Sequence, residues 1–390
     1  MRINYNTLIV ILIGHFVVDF MLGIFPIYKT MTNIDVSLAG MIMGCGLIVG
    51  ESAQLVIGYF SDRGFQKLFM ASGVLLGGSL SLLSSTQHPF LLFLIVLSCY
   101  LGSAAFHPSA SSMVCRLSSK SQGSLLSLFA AGGMIGAAVS QILFVQVMHF
   151  FNNSTVILIL PALLVSFSIV MNVPIANTPK TEEKNFKRQF GILWKRRGSI
   201  LPLYGMQIIN QVLIVSIMFL MPDLFTEKGL PAGFSFGGAQ LSLICGGIMF
   251  NLFNAKFNNL CNPRAMLGGL MITGMLILYT LIAVKLDLML AVVLTVSLGA
   301  ALTTLQPIIL TEGNRAIPEE SRGIINGLLL GGSSFFAGFG VMLSGILSKK
   351  YGVCQTMLSM GALSILFLIF NLFSQRDDKT TQIEDLEVAY

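Results

Sequence analysis

Four side chains stand where strongly apolar residues surround them, and their types and spacing suit proton chemistry. In HFVVDF (15–20) Asp19 follows His15 by four residues. On a helix that places an imidazole and a carboxylate on one face, where they can share a proton or fix each other's orientation. Glu51, in ESAQ, is a second carboxyl that could carry a proton. His107 precedes Pro108 in AAFHPSASS (104–112). The proline removes one helix hydrogen bond and leaves a carbonyl one turn back unpaired, beside a ring that titrates near neutral pH. Each group also has a plainer reading as a hydrogen bond between packed helices, or for Glu51 as a neutral packing residue.

The elements that carry these groups are membrane spans. Of 390 residues 54% are hydrophobic and 10% charged, and the mean hydropathy is +0.82. Soluble domains are about a quarter charged, so most of this surface must face lipid. Between Lys120 and Lys180 there is no Lys, Arg, Asp or Glu. That stretch is far longer than the roughly 20 residues one crossing needs, so it holds two helices, with the turn at Asn152-Asn153-Ser154-Thr155. The same reading predicts twelve spans, at 5–28, 37–60, 67–86, 90–114, 123–149, 155–173, 199–222, 233–254, 264–283, 288–311, 323–347 and 352–373. Asp19 then lies deep in the first span, where a carboxylate costs about 3 kcal/mol unless it faces protein or water.

With both termini in the cytoplasm, 18 of the 23 Lys and Arg fall on the inner side, and only Lys29, Lys228, Lys285, Lys349 and Lys350 fall outside. The net charge of +6 is thus a topology signal and not a nucleic-acid footprint. The polar linker 174–198, with Trp194 and KRR (195–197) suited to the lipid interface, separates six-helix bundles at 1–173 and 199–374; 375–390 is a polar cytoplasmic tail. The halves repeat weakly. His107-Pro108, Arg116 and Gly132 correspond to Gln306-Pro307, Arg315 and Gly332, while His15 with Pro26 corresponds to Gln211 with Pro222. Parallel six-helix repeats with a site between them are a transporter architecture. In this alignment the titratable groups belong to the first half, and the second offers Gln207, Asn210, Gln211, Asn251 and Gln306, expected to bind substrate together with His15.

GYFSDRGFQKLF (58–69) resembles the cytoplasmic loop signature of the major facilitator superfamily. Within it HFVVDF, FHP (106–108) and GSLLSLFAAGGMIG (123–136) are similar to fosmidomycin-resistance-type transporters. The resemblance implies an all-α fold of two pseudo-symmetric bundles, alternating access and proton-coupled efflux of a drug or metabolite from the cell interior across the inner membrane. It also implies a gate at Gly58, Asp62, Arg63 and Gly64. Two departures weaken antiport: YLGSAAFHPSASSM (100–113) lacks the arginine of many drug–proton antiporters, and Ala137 replaces the proline that commonly follows Gly136. A metabolite symporter or uniporter, and less favourably a non-transporting receptor, remain as alternatives.

The expected partners are a small-molecule substrate, protons and the lipid bilayer, with no nucleic acid, and the chain is expected to act as a monomer. With no Lys or Arg central in any span, a dianion is disfavoured, while a neutral, zwitterionic or cationic solute suits the acidic first half. Pro108, Gly132, Gly133, Gly136, Gly331 and Gly332 are expected to serve helix packing, and these glycines, with Gly327, Gly338 and Gly340, to set the packing at the interface between the halves. The four histidines and six cysteines show no HExxH, CxxC or zinc spacing, and no phosphate-binding loop is present. Neither an enzyme, a metal centre nor a cofactor is expected.

Overall fold

The computed structural model describes residues 5–117, 122–174, 186–257, 262–318 and 322–374. Eleven helices there are long and apolar enough to cross a membrane. In chain order they are α1 (Tyr5–Met31), α2 (Val36–Gly58), α3 (Arg63–Ser85), α4 (Pro89–Leu117), α5 (Ser124–Phe150), α8 (Arg197–Glu227), α9 (Phe234–Phe253), α10 (Pro263–Ala283), α11 (Leu288–Arg315), α12 (Ile325–Tyr351) and α13 (Val353–Ser374). A shorter apolar helix, α6 (Val156–Asn172), completes the first bundle. The amphipathic α7 (Phe186–Lys195) lies in the polar linker.

Two helices run past their predicted ends. Pro26 and Pro222 suggest early stops, yet α1 continues to Met31 and α8 to Glu227. In each case a threonine four residues after the proline returns its hydroxyl to the proline carbonyl, Thr30 to Pro26 at 3.2 Å and Thr226 to Pro222 at 2.8 Å. Lys29 and Asp223 are therefore fixed on helix ends.

Within each half α1 packs on α5, α3 on α4, α8 on α12, and α11 on both α9 and α10. Across the halves α2 meets α12, α5 meets α9, and the last turns of α1 meet α8. The α2–α12 seam is built from glycines: a Cβ on Gly40 would stand 3.0 Å from Gly345 Cα, and one on Gly338 would stand 2.7 Å from Gly44 O. Only bare backbones approach so closely.

These crossings lie toward one end. We call the end where α1 begins the starting end, and the other the far end. An apolar core runs from Met21, Ile24 and Phe25 into Leu213, Phe219 and Leu220, joining the halves near the far end. A second core (Leu8, Ile11, Phe106, Phe129, Ile169) belongs to the first half alone.

Local irregularities shape the helices that carry the site. Gly23 bends α1, and a side chain there would collide with Ser140 Oγ of α5. A π-helical turn at Leu47–Glu51 widens α2 where its carboxylate sits. At the very start of α3 the chain turns at Gly64, whose φ of 103° lies in the left-handed region that favours glycine.

Candidate functional site

Asp19 lies 14 residues into α1, about 20 Å along its axis at 1.5 Å per residue. Its carboxylate is clasped by two imidazoles. His15 Nε2 stands 3.3 Å from Oδ2, and His107 Nε2, from α4, stands 3.0 Å from Oδ1. Each ring is oriented from behind. His15 Nδ1 lies 2.7 Å from the carbonyl of Phe129 on α5, and His107 Nδ1 lies 3.0 Å from the carbonyl and 3.0 Å from the hydroxyl of Ser103. A carbonyl oxygen only accepts, so both Nδ1 atoms donate.

Ser103 extends the cluster to the second carboxyl, its hydroxyl lying 2.9 Å from Glu51 Oε1. Gln54 donates to the other oxygen of Glu51. The result is a continuous path, Glu51–Ser103–His107–Asp19–His15, drawn from α2, α4 and α1. It is not sealed in dry packing: the side chains of Asp19 and His107 are 20% and 25% exposed, and Glu51 is half-buried. Gly133 of α5 closes one side, and a side chain there would collide with Asp19 Oδ2 and His15 Nε2.

The uncharged groups of the second half are distributed differently. Gln207 and Asn210 are buried in α8, and Gln211 is half-buried beside them. Among the described residues neither amide atom of Gln207 has a hydrogen-bond partner, nor do the carbonyl oxygens of Asn210 and Gln211. An unpaired buried amide costs about 1–3 kcal/mol, so these groups stand out from the packed helices around them. Gln306 on α11 and Asn251 on α9 are half-buried.

The remaining expected residues fall into three places. Gly58 faces Pro108, a Cβ on it standing 3.6 Å from the proline ring, while Arg63 is exposed at the α2–α3 turn. The Asp62 side chain lies outside the described residues. Gly132 and Gly136 pack against the α1 carbonyls of Leu12 and Phe16, and Gly332 faces the Tyr204 hydroxyl of its own half. No atom lies within 4 Å of a Cβ placed on Gly331. Of the glycines expected at the interface between the halves, Gly338 stands there, against Gly44, whereas Gly132, Gly133, Gly136, Gly332 and Gly340 meet residues of their own half; Gly40, Gly44 and Gly345 complete the α2–α12 seam.

Sequence reasoning also missed a latch at the far end. Lys29 of α1, 1% exposed, forms an ion pair with Asp223 of α8 and stands 4.6 Å above the Phe219 ring. The Thr30 hydroxyl also lies 2.7 Å from the same carboxylate, so its one proton is shared between Asp223 and the Pro26 carbonyl. Nearby, Lys349 of α12 meets Asp35 at the start of α2 at 2.8 Å. Gln240 of α9 donates to the Ala137 carbonyl of α5 at 2.6 Å. The internal repeat held the missing signal: Pro26 and Pro222 are equivalent, so charges just beyond them lie on facing helix ends.

A family model described as Major Facilitator Superfamily matches residues 7–330. No curated protein sequence matches. Among solved structures, a variant of the nucleoside transporter NupG superposes with a TM-score of 0.77 at 13% identity, covering 94% of this chain and 98% of that one. A bacterial homologue of the human lysosomal transporter Spinster, inward-facing and occupied, gives 0.75 at 13% identity, with 96% of each chain covered. A POT family transporter bound to a thioalcohol-conjugated peptide gives 0.75 at 15%, covering 95% and 96%. At these identities the likeness is one of fold.

Proposed function

The chain belongs to the Major Facilitator Superfamily, and from that membership we propose that it is a proton-coupled transporter exporting a small organic solute by alternating access. The observation that carries the reading is the carboxylate of Asp19 held in mid-span between two imidazoles, with a hydrogen-bonded path to Glu51 and partial exposure. A charged group is tolerated at that depth when it lines a hydrated route, and intramembrane Asp, Glu and His chains are the parts from which proton relays are built. Asp19, Glu51 and His107 manage protons in this scheme. His15 and the unpaired amides of Gln207, Asn210 and Gln211, with Gln306 and Asn251, contact the solute.

The bundles 1–173 and 199–374 act as the two moving bodies, joined by the linker 174–198. With the linker, the tail 375–390 and both termini in the cytoplasm of the inner membrane, the far end faces outward. The latch Lys29–Asp223 and the α2–α12 seam then keep the outer side shut, the inward-facing arrangement. Gly58, Asp62, Arg63 and Gly64 gate the opposite side. The solute is neutral, zwitterionic or cationic, since positively charged side chains lie toward helix ends and the central charges are acidic. A monomer is sufficient for this cycle.

Proton-coupled symport is the second reading, favoured by the absent α4 arginine and by Ala137 in place of proline. Purified protein in proteoliposomes, given a solute panel with and without an imposed pH difference, separates the two by the direction in which protons accompany the solute. Asp19→Asn is expected to abolish pH-driven flux while the protein still inserts and purifies normally. Undiminished flux in that variant overturns the assignment.

A further inference from the structure

The two imidazoles around Asp19 present a problem of charge. Each donates from Nδ1 to a carbonyl, His15 to Phe129 and His107 to Ser103, so in the neutral ring each Nε2 holds a lone pair. Both lone pairs point at an oxygen of one carboxylate, at 3.3 Å and 3.0 Å. Lone pair against lone pair is unfavourable at such distances, so positive charge must lie between them. Two protons can supply it, one in each gap. A single divalent cation can supply it in both gaps at once.

The donor set suits such an ion. Two imidazole nitrogens and one carboxylate oxygen are ligands of zinc and neighbouring first-row metals. Ligands of a tetrahedral zinc lie about 3.3 Å apart. The three donor atoms here all lie within 4.8 Å of one another, so the widest separation closes with a shift of no more than about 1.5 Å. The backbone carbonyls behind the rings are the outer partners that metal-bound histidines ordinarily have, fixing the tautomer and turning Nε2 toward the ion. The partial exposure of Asp19 and His107 leaves a side open for water or solute as a further ligand.

We infer that His15, Asp19 and His107 form a binding site for a divalent transition-metal ion of the zinc type, open toward the central passage. Sequence spacing hid it, because His107 comes from a different helix, 88 residues beyond Asp19. The ion would occupy the place of the coupling protons, so micromolar zinc would slow transport; that consequence rests on the transport reading, whereas binding itself does not.

Titration of purified full-length protein in detergent with Co2+, followed by its visible absorption, and then with Zn2+ as competitor, tests the site. The expected result is saturation at a single ion per chain, with a spectrum of nitrogen and oxygen ligands and no sulfur charge-transfer band. His15→Ala, His107→Ala and Asp19→Asn should each weaken binding at least on the order of 10–100-fold, the loss typical even for outer-shell partners. A His88→Ala/His149→Ala double variant should bind as the parent does. Thermal unfolding of each variant separates ligand loss from misfolding, and if one alanine variant fails to fold, His107→Gln replaces it. Failure of the parent protein to bind either metal saturably, or binding that persists in the folded triad variants, overturns the inference. Because binding is read without flux, a protein that binds metal but ignores a pH gradient would sink the proton-coupling reading alone.

Discussion

Ser103 is the smallest part of the proposed relay and the easiest to remove. Its hydroxyl links Glu51 to His107, and its carbonyl sets the ring that clasps Asp19. Ser103→Ala deletes only the hydroxyl link, leaving the carbonyl in place. Loss of one such hydrogen bond, worth about 1 kcal/mol, should slow proton-driven flux about fivefold and leave folding intact. Initial rates under a fixed pH difference check this, and an unchanged rate would place Glu51 outside the relay. At this scale the sequence was half readable. His15 and Asp19 meet because four residues make one turn, a rule internal to a helix. That His107 joins them, and that Ser103 bridges to Glu51, depends on how α4 seats against α1 and α2, which no spacing along the chain encodes.

Helices add constraints that residue types do not advertise. The π-turn at Leu47–Glu51, the bend at Gly23 and the continuation of α1 and α8 beyond their prolines all arise from backbone choices settled by neighbours. The last of these creates the latch. Lys29 is almost wholly enclosed, and removing one partner of a buried pair leaves an uncompensated charge at a cost of about 3 kcal/mol. Lys29→Met or Asp223→Asn alone should therefore shift the populations of the two end-states about a hundredfold away from far-end closure. The double substitution should recover most of that shift, since neither charge is then stranded. Distances between spin labels on the α1–α2 and α8–α9 turns report the outcome; a double variant as open as the single ones would show that the pair does not act as a unit.

For the molecule as a whole, hydropathy and charge asymmetry made the spans and the two-bundle plan legible, because burying backbone in lipid permits few alternatives. Which end is closed was not legible, since every helix is compatible with both arrangements. A weaker contact at the closed end carries a pH signature. The hydrogen bond from Lys349, with help from the Leu38 amide, holds the Asp35 carboxyl below the usual carboxylate range. A group whose folded value is depressed stabilises above its ordinary value, about 4, and loses that contribution as pH falls through the lowered one. Both side chains are well exposed, so the pair is worth under about 1 kcal/mol and the shift is at most about fivefold. Between pH 6 and pH 3, roughly the range spanning an ordinary carboxylate, the far end should loosen slightly in the parent, and this component should vanish in Lys349→Gln. The same labels measure it, and an identical pH response in the variant would assign the effect elsewhere.

In α2 the glycine seam lies toward the far end, Gly40 and Gly44 coming before the helix midpoint, while Gly338 stands at the middle of α12 and Gly345 beyond it. A fulcrum placed off-centre gives unequal arms: from Gly44 to Gly58 the longer one runs about 21 Å, so a tilt of about 10° there would sweep its tip on the order of 4 Å. Movement at the short arm is correspondingly slight. In the proposed cycle the mouth would therefore widen as a wedge, and the bulk of cargo admitted would be governed by angular travel at two bare stretches of backbone.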